Sequence, residues 1–96
     1  MIRYQASQNF IHRKITGLDV LISVGEGIAN FDGYIQLNAT AAALWNFLSA
    51  PRTEDEMAAM LAEQYGISSG EAQADASEFL ELLKTHQMVM VTSDGE

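Results

Sequence analysis

Apolar positions change their spacing twice along the chain. In Phe10-Ile11-His12-Arg13-Lys14-Ile15, after a polar lead-in, they alternate loosely until Gly17 interrupts them, which predicts a short strand. Leu18, Val20, Ile22 and Val24 then fall at period 2, placing four β-favouring side chains on one face, and Gly25-Glu26-Gly27 ends the run. Ile28 to Phe31, Asp32-Gly33 and Tyr34 to Leu37 have the form of a hairpin, because Asp-Gly readily adopts the positive φ angles of a tight primed turn. The first 37 residues therefore read as an antiparallel meander of three or four strands.

From Asn38 the spacing becomes helical. Asn38 suits an N-cap, Ala41, Leu44, Trp45 and Leu48 form one stripe, and Pro51 forbids continuation. Thr53-Glu54-Asp55-Glu56 is a capping box whose acids also favour the positive end of the helix dipole. Met57, Met60, Leu61 and Tyr65 are its expected buried stripe, and Gly66 its stop. Ser68 and Glu71 repeat the box for a third helix reaching about His86, with Ala72, Ala76, Phe79, Leu80 and Leu83 facing inward. Met88 to Val91 adds a strand or covers the core, and Thr92 to Glu96 is expected to fray. The layout is α+β: an N-terminal antiparallel β-meander of three or four strands, then three α-helices, resembling a winged helix-turn-helix.

A chain of 96 residues, 48% hydrophobic with one proline, accommodates a single domain, 1–96 with a core over about 10–91. It buries about 60 to 68% of its unfolded surface, too little for a deep enclosed active site. Without cysteine there is no disulfide framework or thiolate metal site. The apolar runs are too short for a membrane span, and the first residues lack a signal peptide's apolar stretch, so the cytoplasm is the default location.

The net charge of −8 lies wholly in the second half: residues 1–50 balance three cations against three acids, whereas residues 51–96 set Arg52 and Lys84 against ten acids. Such a surface repels phosphate backbones and attracts cations. A DNA-reading second helix of the motif would carry Glu71, Asp75, Glu78 and Glu81 against Lys84 alone, the wrong sign for a winged-helix transcription regulator. Catalytic constellations are equally sparse. His12 and His86 lack metal-ligand spacing, the serines lack a nucleophile-elbow context, and Gly25-Glu26-Gly27 is too short for a dinucleotide fingerprint. No Asp-Ser-Leu-like attachment serine suggests an acyl carrier protein. The methionines fall where irregular core gaps need filling. The expectation is a non-catalytic domain without metal or cofactor; the alternatives are a winged-helix transcription regulator, against which the acidic helix argues, a protein–protein adaptor, and a small catalytic subunit.

The stretch Leu37-Asn38-Ala39-Thr40-Ala41-Ala42-Ala43-Leu44-Trp45 closely resembles the LNxTAAxxW signature of the PqqD-like family, and the similarity extends over roughly residues 10–91. The resemblance implies a RiPP recognition element: a peptide binder that holds the leader of a ribosomally made precursor for a modifying enzyme, often a radical SAM protein. The founding type serves pyrroloquinoline quinone biosynthesis, and peptide binding is the common denominator of the broader family. Carried over residue by residue, the leader would add as a strand beside Tyr34, Ile35, Gln36 and Leu37 and lie against the third helix. On that helix Leu82 would receive an apolar leader side chain, Phe79 and Leu83 would form the floor, and Asp75 and Glu78 would favour a Lys or Arg. Asn38, Leu37 and Trp45 also have a structural reading, as helix cap and sheet-to-helix lock. An exposed sheet edge could also pair with its own copy, giving a homodimer.

Overall fold

The structure is a computed structural model that describes residues 1–23 and 34–93. Among these residues five strands and three helices occur in the order β1 (Ile2–Ala6), β2 (Phe10–Ile15), β3 (Leu18–Ser23), β4 (Tyr34–Leu37), α1 (Ala39–Phe47), α2 (Glu54–Tyr65), α3 (Ser69–Thr85) and β5 (Val89–Ser93). Strands β2, β3 and β4 form an antiparallel sheet in sequence order, whereas β1 and β5 pair in a separate two-stranded sheet. The expected meander followed by three helices is therefore present. The expected strand at Ile28 to Phe31, with its Asp-Gly turn, lies outside the described residues, as does Val24.

The β2–β3 hairpin closes through Thr16 and Gly17, both at positive φ, 49° and 84°. This is the primed geometry that matches strand twist, and glycine meets it without strain, whereas β-branched Thr16 does not. In the sheet Leu21 lies opposite both His12 and Ile35, and Asp19 opposite Lys14 and Leu37. Side chains opposite one another share a face, so Phe10, Leu21, Ile35 and Leu37 form the face that packs into the helical core. The period-2 set Leu18, Val20 and Ile22 lies on the other face, where Leu18 is 45% exposed and Val20 is buried outside the helical core. Leu21, one residue out of phase with that pattern, is the side chain that enters the core.

All three helices begin at their expected caps. Asn38 Oδ1 accepts the Ala41 amide at 2.8 Å. Thr53 Oγ1 accepts the Glu56 amide at 3.1 Å while Glu56 accepts the Thr53 amide at 2.8 Å, completing the box. Ser68 Oγ accepts the Glu71 amide at 3.2 Å, but only this half of the second box forms. Met57 and Leu61 are fully buried. Tyr65, expected beside them, is exposed instead, because its ring lies at the end of α2 and its hydroxyl donates to the Ala39 carbonyl at 3.4 Å. On α3 the whole expected stripe, Ala72, Ala76, Phe79, Leu80 and Leu83, is buried.

Both chain ends differ from expectation. The polar lead-in is strand β1, whose central Tyr4 is buried and exchanges hydrogen bonds with Arg52 of the α1–α2 connection, 2.7 Å from the Tyr4 amide and 2.9 Å to its carbonyl. Its alternation spans only Ile2, Tyr4 and Ala6, too short to read as a strand without the partner supplied by β5. Thr92 and Ser93, expected to fray, pair with Arg3 and Ile2. The turn into β5 is a Schellman motif: Gln87 stands at φ 57°, its amide donates to Lys84 at 3.1 Å, and the Met88 amide donates to Leu83 at 2.8 Å. That turn drives Met88 into the core, fully buried, while Met90 on the strand is exposed rather than core-facing.

Candidate functional site

Among the described residues strand β4 occupies the end of its sheet, hydrogen-bonded to β3 on one side. Among the described residues no backbone hydrogen bond reaches its other edge. Unpaired edges of this kind are templates for a further strand. Facing the edge is α3, and between them runs an open groove of about 430 Å³.

The groove is assembled from three elements. β4 contributes Gln36 and Leu37, and α3 contributes Asp75, Glu78, Phe79 and Leu82. The start of α1 adds Asn38, Thr40, Ala41 and Leu44. Leu37, Leu44 and Phe79 are buried and make an apolar floor, Leu82 is half-buried against the core, and Glu78 stands exposed at the rim with Asp75 half-buried beside it. Neither carboxylate meets a cation or a hydrogen-bond donor among the described residues. The site thus offers unpaired main-chain groups on one wall, an apolar floor, and uncompensated negative charge on the other wall.

Six of the nine residues singled out in the sequence therefore line one groove. The other three are placed differently. Tyr34 is 63% exposed and lies on the opposite face of the sheet, beside a small apolar hollow with Ile15, Leu18 and Val20. Ile35 is half-buried and packs toward the core. Leu83, expected in the floor, is fully buried behind it. At 100° per residue, Leu83 turns about 40° from Phe79 toward the core while Leu82 turns about 60° the other way, toward the groove. Thr40, Ala41 and Leu44 went unnoticed as lining because their spacing marks only a helix packed on a sheet. Asn38 both caps α1 and borders the groove.

The histidines stand apart. His12 Nε2 lies 2.8 Å from Asp19 Oδ1, and His12 Nδ1 lies 3.4 Å from the Asn46 amide nitrogen, a polar tie between the sheet and α1. Among the described residues no group of three or more His, Asp or Glu side chains could hold a metal ion, and no helix is long and apolar enough to cross a membrane.

The family model described as coenzyme PQQ synthesis protein D (PqqD) matches residues 20–89, which span β4, α1, the α1–α2 connection and the whole of α3. The chain belongs to the PqqD family. Its fold is shared with a solved structure of a lasso peptide synthetase B1 complexed with the leader peptide, at 22% identity and a TM-score of 0.69, covering 91% of this chain and 96% of that one. A structure of TbiB1 in complex with the TbiA(beta) leader peptide is similar at 19% identity and a TM-score of 0.71, covering 94% and 99%. No curated protein sequence is close enough to count as a match. Within this PqqD-family chain, the signature residues Leu37, Asn38, Thr40 and Ala41 border the groove, joined by Leu44 from a variable position of the signature.

Proposed function

We propose that this chain is a non-catalytic recognition domain that holds the leader of a precursor peptide as an added strand beside β4 and presents it to a modifying enzyme, of the radical SAM type, in the cytoplasm. The observation that carries the reading is the coincidence of a strand edge that is unpaired among the described residues with an apolar-floored groove of about 430 Å³ directly beside it. Family membership and the likeness to two leader-peptide complexes support it.

The energetics explain why both halves of the site are needed. Ordering four or five peptide residues opposite four-residue β4 costs about 4 to 10 kcal/mol, while about four ladder hydrogen bonds return only about 2 to 6 kcal/mol. Burial of one or two apolar side chains on Leu37, Leu44, Phe79 and Leu82, at about 1.5 to 3 kcal/mol each, offsets the difference. Main-chain pairing sets the register, and the floor supplies affinity and selectivity. The rival reading, a winged-helix DNA binder, conflicts with α3, which exposes Glu71, Glu78 and Glu81.

Calorimetric titration with the leader of a precursor encoded beside this gene tests the proposal. One-to-one binding is expected, lost when single backbone amides of the leader are N-methylated at alternate positions. Binding that is absent, or indifferent to N-methylation throughout, would remove strand addition.

A further inference from the structure

The groove is not uniform along its length. Its α3 wall runs from Asp75 to Leu82, seven residues or about 10.5 Å of helix. One end of that wall is apolar, at Leu82 above Phe79; the other carries Asp75 and Glu78. The nearest compensating cation on α3, Lys84, is held 3.8 Å from Glu81 and over the Tyr4 ring, away from this wall. The two groove carboxylates have no partner of their own among the described residues.

Resting on the peptide-docking reading above, we infer that this groove selects a strand in which an apolar residue and a Lys or Arg stand two positions apart, the apolar side chain over Leu82 and the cation between Asp75 and Glu78. The spacing follows from two repeats. Leu82 and Glu78 are four residues apart, about 6 Å along the helix. In an extended peptide, side chains on the same face recur every two residues, about 6.7 Å. A strand lying along the groove with one apolar anchor on the floor therefore brings its next inward-facing side chain level with Glu78 and about 4 Å short of Asp75, a gap that a long Lys or Arg side chain spans. A residue one position from the anchor points away, toward the face of the sheet that carries Tyr34, and contributes nothing to this discrimination.

The carboxylates act by selection more than by raw affinity. Glu78 is exposed, so its attraction is screened, whereas half-buried Asp75 is shielded less. Like charge is penalised: an acidic side chain at the same peptide position would face two uncompensated carboxylates.

Random twelve-residue peptides displayed on phage and selected on the folded chain, in parallel with the Asp75→Asn, Glu78→Gln double variant, test the inference. The parent chain is expected to enrich Lys or Arg two positions from an apolar residue, while the double variant keeps the apolar residue and loses the cationic preference. For the strongest selected peptide, replacing the cation by norleucine should weaken binding about three- to tenfold at low salt and much less at high salt. Enriched peptides that share an apolar anchor but show no cationic preference, or the same preference on the double variant, would overturn the charge selection and leave strand docking intact. Failure to enrich any peptide would overturn both.

Discussion

Asn38 stands where the helix cap and the groove meet, and its substitution separates the two roles. Its Oδ1 accepts the Ala41 amide at 2.8 Å and the Thr40 hydroxyl at 3.0 Å. No acidic side chain assists in the first turn of α1, a nine-residue helix. Asn38→Ala strips the cap from a helix with no electrostatic substitute, for an expected loss of about 1 kcal/mol. In a domain of this size that lowers the melting temperature by about 4 to 8 °C. Asn38→Ser restores an acceptor of equal capping preference and should recover most of the loss. Thermal melts followed by circular dichroism measure the stabilities, and calorimetric titration with the leader measures affinity on the same samples. An Asn38→Ala variant as stable as the parent would refute the capping account. An Asn38→Ser variant that keeps its melting temperature but binds the leader at least tenfold more weakly would make Asn38 a peptide contact as well as a cap.

Among the described residues two non-glycine residues hold positive φ, Thr16 at 49° and Gln87 at 57°. Thr16→Asn and Gln87→Gly should each raise stability, by about 1 kcal/mol, read as a shift of the urea midpoint at constant slope; an unchanged or lowered midpoint would contradict the strain assigned to these turns. Met88→Ala empties a fully buried position at the entry to β5 and should cost about 2 to 5 kcal/mol. A loss below about 1 kcal/mol would show that the last strand does not depend on that anchor.

What could be read from the sequence was local chemistry. Asn38, Thr53 and Ser68 announce three helix starts because a cap needs only its own first turn, and Gly66 announces a stop for the same reason. The stripe on α3 was legible because five side chains repeat it. Pairings distant in the chain were not. Ile2 to Ala6 becomes a strand only by meeting residues 89–93, and the Arg52 bridge to Tyr4 depends on where α1 ends. Alternation in Leu18, Val20 and Ile22 fixed a strand but not which face meets the helices; that was settled by Phe10, Leu21 and Leu37 packing together. At the groove, periodicity placed Phe79 and Leu82 on neighbouring faces of α3 but left Leu83 ambiguous until the core was assembled.

Amide hydrogen exchange at residues 34–37, with and without saturating leader, tests strand addition most directly. The free edge predicts that amides directed away from β3 exchange readily alone and become protected on binding, in alternation along β4. Protection unchanged across these residues, with the leader demonstrably bound, would contradict docking at this edge.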